Sequence, residues 1–271
     1  MFYEGREKRL EIIITGHNLL EYSESFWIEM VSEANTNILS QIKNKHISAY
    51  LLSESSLFVW HNKILLITCG NTHLVKAAQY FQKKIPKKNI ISLLFHRHQA
   101  IQPNRQKSSF EQDSQLLTAD LNGITQHWRG DYRGDLFYFT NKEPNSDYKQ
   151  ILMCHNLTGE LTEKAQSGLL STAEMESYLS INCFFDDLII DQFTFEPKGY
   201  SLNAVCANDY LTIHLTPEKL SSYLSVETSF NNANSKALMA HIVKLFKPQQ
   251  SHLMCFNSTE QSALQISLHP H

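Results

Sequence analysis

Tyr50-Leu51-Leu52-Ser53-Glu54-Ser55-Ser56-Leu57-Phe58-Val59 sets two apolar runs around a polar centre of three hydroxyls and one carboxylate. The flanking runs have strand character. The four residues between them contain neither Gly nor Pro, the usual marks of a hairpin turn. A hydroxyl held against the carbonyl before it can attack that carbonyl. At Glu54–Ser55 the acyl group would then pass to an ester on the Ser55 oxygen. An unactivated serine is a weak nucleophile, so the step needs a strained backbone and a positioned proton acceptor. The other reading of the same residues is a Ser-rich turn whose hydroxyls bond local backbone.

Outward from this centre, residues 46–53 and 55–60 read as strands. His61-Asn62-Lys63 turns the chain into a strand over 64–69, which Gly70 ends. Upstream, residues 8–15 form a strand around Ile12-Ile13-Ile14. Ser23 is placed to cap a helix over 24–42, with Phe26, Met30 and Val31 on one face and Ile38 and Ile42 continuing the spacing. Downstream, Leu74, Ala77, Ala78 and Phe81 mark an amphipathic helix that stops before Pro86. A strand over 90–95 leads into a polar, basic loop over 97–108, read as solvated. Residues 110–119 are helical, 123–128 and 136–140 are paired strands, 151–156 is a strand and 172–179 a short helix. The last third is strand-rich: 193–196, 200–206, 210–216 and 223–228, with Asn208-Asp209 as a hairpin turn. A helix over 235–246 and strands over 252–257 and 262–268 follow. Strand pairs interrupted by helices, with few strand–helix–strand alternations, predict an α+β fold with antiparallel sheets. No internal sequence repeat is visible.

Composition narrows the class. The chain has 271 residues, 42% hydrophobic and 19% charged, and a net charge of −3. That is the balance of a folded domain, and no basic stripe points to nucleic acid. No apolar run is long enough to cross a bilayer, and Met1 to Gly5 lacks the basic-then-apolar pattern of a secretory signal. Five widely spaced cysteines, Cys69, Cys154, Cys183, Cys206 and Cys255, suggest a reducing cytoplasm over a disulfide framework. His96 with His98, and His269 with His271, come without further ligands at telling spacing, so no metal is expected.

The stretch Leu52-Ser53-Glu54-Ser55-Ser56 resembles the self-cleavage site of the eukaryote-type, pyruvoyl-dependent S-adenosylmethionine decarboxylases. Four further stretches resemble that family's landmarks, in its order and at nearly its spacing: Phe2 to Lys8, Ile67-Thr68-Cys69-Gly70, Phe195 to Asn203, and Thr212 to Glu218. The resemblance implies a four-layer α/β/β/α sandwich, with two central antiparallel sheets flanked by helices in two similar halves. It implies one domain over 1–271 that cuts itself into a small chain, 1–54, and a large chain, 55–271. These would stay together as a heterodimer, with a homodimer of that pair left open. The implied activity is decarboxylation of S-adenosylmethionine to the aminopropyl donor of spermidine and spermine synthesis, in the cytoplasm.

The resemblance also implies roles. Ser55 attacks Glu54 and becomes the pyruvoyl cofactor. His214 removes the α-proton of the ester, work suited to a neutral imidazole. Ser201 assists beside it. Cys69 returns a proton to the former α-carbon of the substrate, within reach of a thiol whose ordinary pKa is about 8.5. Tyr3 and Phe195 flank the adenine, each face contributing about 1–3 kcal/mol by analogy with base stacking. Glu218 takes the ribose hydroxyls, Glu4 lies near the substrate, and Glu7 affects processing and binding. Glu54 presents its backbone to the adenine edge. Read without the resemblance, His214 is a strand histidine bonded to backbone, Cys69 a buried strand-end thiol, and the Glu residues surface carboxylates.

Some members carry an acidic diamine site. Here Glu11 and Glu227 match it, but Ile67 stands in place of a Lys and Gln150 in place of a Glu. Ser146-Asp147 falls near another acidic position. The altered charge balance implies weak or absent diamine activation. Two rivals stay open: a silent paralogue that activates a partner decarboxylase, and a pyruvoyl enzyme for another amino acid. The retained Ser55, Cys69, Ser201 and His214 oppose the first, and Tyr3, Phe195 and Glu218 oppose the second.

Overall fold

The computed structural model describes residues 3–141, 147–196, 198–259 and 262–271. Among these the fold is α+β, with two antiparallel sheets of eight and seven strands. The chain divides into two compact units, one over Arg6–Gln41 and Lys45–Pro144, the other over Met1–Gly5, Ile42–Asn44 and Asn145–His271.

The first unit opens with β1 (Lys8–Ile14), then α1 (Glu24–Glu33). Next come β2 (Ile38–Lys43), β3 (Ile47–Leu52), β4 (Ser55–Trp60) and β5 (Lys63–Thr68). The unit closes with α2 (Leu74–Lys84), β6 (Ile90–His98), α3 (Phe110–Asp120), β7 (Ile124–Arg129) and β8 (Arg133–Thr140). The sheet order is β2-β3-β4-β5-β1-β6-β8-β7, so β1 is interior. Alternation puts Leu10, Ile12 and Ile14 on one face of β1. There they join Leu57, Val59, Leu66 and Phe95 in a core closed by Trp27 and Met30 of α1 and by Leu74, Ala77, Ala78 and Phe81 of α2. The i, i+3, i+4, i+7 spacing of the α2 residues gives that helix its apolar stripe. Ser109 and Gln112 form a reciprocal capping box that starts α3.

The second unit opens with β9 (Asp147–His155), α4 (Glu160–Gln166) and α5 (Thr172–Leu179). A four-strand meander follows: β10 (Ile189–Thr194), β11 (Tyr200–Cys206), β12 (Asp209–Thr216) and β13 (Tyr223–Thr228). The unit ends with α6 (Ala233–Phe246), β14 (Gln250–Thr259) and β15 (Ser262–Pro270). Its order is β10-β11-β12-β13-β9-β14-β15. Both units therefore repeat one plan. A first strand is flanked on one side by a four-strand meander and on the other by the strand after the next helix. The repeat lives in topology, since no sequence repeat accompanies it.

Several expectations are corrected. The helix expected over 24–42 ends at Glu33, because Asn35 takes a left-handed φ of 69°. Ile38 and Ile42 then lie in β2; residues four apart share a face in a helix and in a strand alike. The turn expected at Asn208-Asp209 is Ala207-Asn208, since Cys206 pairs with Asp209. Arg97 is no solvated loop residue: it belongs to β6, is 5% exposed, and donates to Asp113 Oδ2 at 2.7 Å. The strand expected at 193–196 spans Ile189–Thr194, and α4 had no sequence expectation.

All five cysteines are free. Burial within β9 pushes the Cys154 thiol up to about 12, whereas Cys183 is exposed. A high pKa leaves almost no reactive thiolate near neutral pH. Alkylation of the native chain, read by peptide mass, is expected to label Cys183 and to spare Cys154 until the chain is unfolded.

Candidate active site

A short hairpin joins β3 and β4. Leu52 pairs with Ser55, so Ser53 and Glu54 make up the whole turn. The favoured two-residue hairpin turns place a positive φ at their first or at both central residues. Here the positive φ falls one residue later, on Ser55, at 138°. The corresponding turn of the second unit behaves conventionally, with its positive φ of 50° on Ala207. A side-chain-bearing residue at such an angle stores about 1–3 kcal/mol of strain. The surroundings hold it there. Ser53 N donates to Asn37 O at 2.9 Å, and Asn37 N donates to Ser53 Oγ at 3.1 Å. The polar centre is thus a turn for Ser53, whose hydroxyl bonds the distant Asn37 backbone and not local backbone, and a strained strand start for Ser55.

The carbonyl between Glu54 and Ser55 is held by one residue of the next strand end. Ser55 pairs with Thr68, so Cys69 follows directly opposite the turn. The Cys69 N–H donates to Glu54 O at 3.0 Å, and Cys69 Sγ lies 3.5 Å from the same oxygen. Two donors on one carbonyl oxygen polarise it and favour negative charge there. Cys69 is 8% exposed and Ser55 is 2% exposed, which strengthens both interactions by excluding water.

In the second unit, Ser201 of β11 and His214 of β12 are directly paired and both buried. Thr212 Oγ1 donates to Asn203 Oδ1 at 2.9 Å and lies 3.1 Å from His214 Nε2. A hydroxyl has one proton. With that proton on Asn203, the bond between His214 and Thr212 is donated by the His214 Nε2–H. Sequence reading missed Asn203 and Thr212. Their signal was the two-residue spacing to Ser201 and His214, which puts all four on one sheet face.

The remaining residues divide between the units. In the second, Phe195 is half-buried and meets Phe193 edge-on at 4.9 Å. Glu218 Oε1 lies 3.9 Å from Lys198 Nζ. Tyr3 is 36% exposed and Glu4 is buried. A Cβ on Gly5 would fall 2.8 Å from Thr216 Cβ, so that segment lies close along the ends of β12 and β13. Glu227 accepts from Tyr210 Oη at 2.8 Å. In the first unit, Glu7 is fully buried and takes a 2.5 Å bond from Arg9, and Glu11 is buried on β1. His96 is bonded to Tyr132 Oη at 2.6 Å. Burial, the largest cause, pushes the Tyr132 phenol up, so that hydroxyl keeps its proton. Phe2, Pro197 and Ser146 lie outside the described residues. Among the described residues no group of three or more His, Cys, Asp or Glu could hold a metal.

Gln150 departs from the sequence reading. It pairs with Thr228, whereas Glu227 pairs with Ile151, so Gln150 and Glu227 point to opposite faces. Its amide donates to Phe230 O at 3.1 Å and to Ser235 Oγ at 2.8 Å. On β9, Ile151 pairs with Glu227 and shares its face, as does Lys149 two residues away.

The model of the adenosylmethionine decarboxylase family matches residues 1–270, and the chain belongs to that family of decarboxylases. Among curated relatives, the S-adenosylmethionine decarboxylase proenzyme of Onchocerca volvulus is 30% identical, over 95% of this chain and 76% of its own length. That of Drosophila melanogaster is 29% identical, over 91% and 80%. The crystal structure of Trypanosoma brucei AdoMetDC-delta26 monomer shares the fold, with a TM-score of 0.59 and 22% identity over 74% of this chain and 79% of that one.

The strain at Ser55 is open to measurement. Ser55→Gly relieves the angle, at the cost of glycine's greater unfolded-state entropy. It is expected to be more stable than Ser55→Ala by about 1–2 kcal/mol in denaturant unfolding. Equal midpoints would mean that the backbone there is relaxed.

Proposed function

We propose that this chain is a self-processing decarboxylase of S-adenosylmethionine whose cofactor is a pyruvoyl group made from Ser55. The observation that carries the reading is the Glu54–Ser55 peptide: a positive φ at Ser55 and two donors on Glu54 O. The Ser55 hydroxyl adds to the Glu54 carbonyl while Cys69 stabilises the oxyanion. The C–N bond then breaks, leaving an ester and a free Ser55 amine. Release of the strained angle favours the shift, as expected where strain sits at a reacting bond. His214 takes the Cα proton of Ser55. The ester C–O bond breaks by elimination, Glu54 leaves as a carboxylate, and water converts the dehydroalanine to pyruvoyl and ammonia.

The pyruvoyl group supplies an electron sink for the pair released when carbon dioxide leaves. The chain's own residues do the rest. The Cys69 thiol returns a proton to the former α-carbon. Tyr3 and Phe195 stack on adenine and face the sulfonium, Glu218 takes the ribose hydroxyls, and Glu4, Glu7 and the Glu54 backbone complete binding. Ser201 supports His214. The product serves polyamine synthesis in the cytoplasm. Fragments 1–54 and 55–271 stay together.

Intact mass of the purified protein is expected to give 1–54 and a large fragment whose first residue is pyruvoyl, and Ser55→Ala is expected to stay whole and inactive. Cleavage of Ser55→Ala, or a large fragment with an ordinary amino terminus, would refute the reading. Glu11 and Glu227 are read as remnants of a diamine site. Ile67 and Gln150, which stand in place of a Lys and a Glu, change the charge balance that a diamine would meet there. Saturating putrescine is therefore expected to change turnover and processing by less than about twofold; several-fold activation overturns this part.

A further inference from the structure

Lys8 opens β1 on the face that carries Leu10, Ile12 and Ile14, and it is only 3% exposed. A lysine is costly to bury unless its head group finds hydrogen-bond acceptors. Lys8 Nζ donates to Gly70 O at 3.0 Å, to Thr72 O at 3.0 Å and to Thr72 Oγ1 at 3.2 Å. The Thr72 hydroxyl donates its proton to Cys69 O at 3.0 Å. It therefore accepts from Lys8 and also from Thr68 Oγ1, 2.7 Å away. Gly70 permits the turn with a φ of 64°. Residues 69–72 are thus folded over one ammonium group. The same segment presents the N–H and Sγ that meet Glu54 O. Lys8, Thr68 and Ser55 also form one register row across β1, β5 and β4.

We propose that Lys8 is a positioning residue for chain cleavage, and that it holds the 69–72 turn so that Cys69 meets the Glu54 carbonyl oxygen. This rests on the self-cleavage reading and adds a step assignment to it. Oxyanion donors act only when placed accurately, and a shift of about 1 Å costs about a hundredfold in rate. Lys8 reaches the scissile carbonyl through the Cys69 turn. Its loss therefore slows the first step, in which the Ser55 Oγ–carbonyl bond forms, the C–N bond breaks and the hydroxyl proton passes to the amine. It leaves the later elimination untouched.

The test follows cleavage of newly synthesised full-length chain on denaturing gels, with and without hydroxylamine, which opens an ester but not an amide. The variants are Lys8→Met, Thr72→Val, Thr72→Ser and, as a control that stalls after ester formation, His214→Ala. Lys8→Met is expected to cleave about a hundredfold more slowly than wild type and to resist hydroxylamine, whereas His214→Ala is opened by it. Thr72→Val is expected to behave like Lys8→Met, and Thr72→Ser, which keeps the hydroxyl, to restore cleavage. Melting in the uncleavable Ser55→Ala background separates lost positioning from lost folding; if Lys8→Met does not fold there, the Thr72 pair decides. Normal cleavage in Lys8→Met overturns the proposal, as does slow cleavage that hydroxylamine rescues, or equal rates for Thr72→Val and Thr72→Ser. A wild-type chain that never divides refutes the self-cleavage reading, and the role of Lys8 with it.

Discussion

A two-residue connection between Leu52 and Ser55 leaves a backbone angle that the sheet will not relax. Every residue of β4 from Ser55 to Trp60 is buried, and a slip of one residue would turn each side chain to the opposite face. Burying Leu57, Phe58 and Val59 contributes about 1.5–3 kcal/mol apiece. The strain at Ser55 is about 1–3 kcal/mol. Register therefore wins over relaxation, and the angle persists at the bond proposed to break.

The repeated strand order explains how two similar units come to differ. Both have a two-residue hairpin at the same point of the plan, Ser53-Glu54 in one and Ala207-Asn208 in the other. In the second, the positive φ sits inside the turn, where it is conventional. In the first, it sits on the residue after the turn, with a carbonyl held by Cys69 on one side and a hydroxyl on the other. The second unit supplies a different resource: a buried row of Ser201, Asn203, Thr212 and His214 that holds an imidazole by its Nε2–H.

Buried polar groups around β1 cost stability, and hydrogen bonds offset that cost. Arg9 pairs with Glu7, Lys8 with the Cys69 turn, and Tyr132 with His96. Replacing such groups with apolar residues is often neutral or stabilising in other proteins. Their presence here fits placement of a site better than strength of a core. Lys8 is the clearest case, since its acceptors belong to the segment that touches the scissile carbonyl.

The sequence by itself determined the class of fold and most strand positions, and its resemblance to a known family suggested the residues of the proposed chemistry. Alternation and apolar spacing are local, and Ser55, Cys69, Ser201 and His214 sit in stretches recognisable by order and spacing. It did not determine where the helix before β2 stops, because Ile38 and Ile42, four apart, suit helix and strand equally. It gave no warning that Arg97 is buried, because its partner Asp113 lies on another element. It put Gln150 with Glu227, though pairing sends them to opposite faces. Only the tertiary structure decided that Ser55 carries a positive φ, that Cys69 holds the Glu54 carbonyl, and that Lys8 lies beneath the Cys69 turn. Each depends on strand register between segments far apart in the chain, and register is set by burial summed over a whole sheet, which no short stretch records.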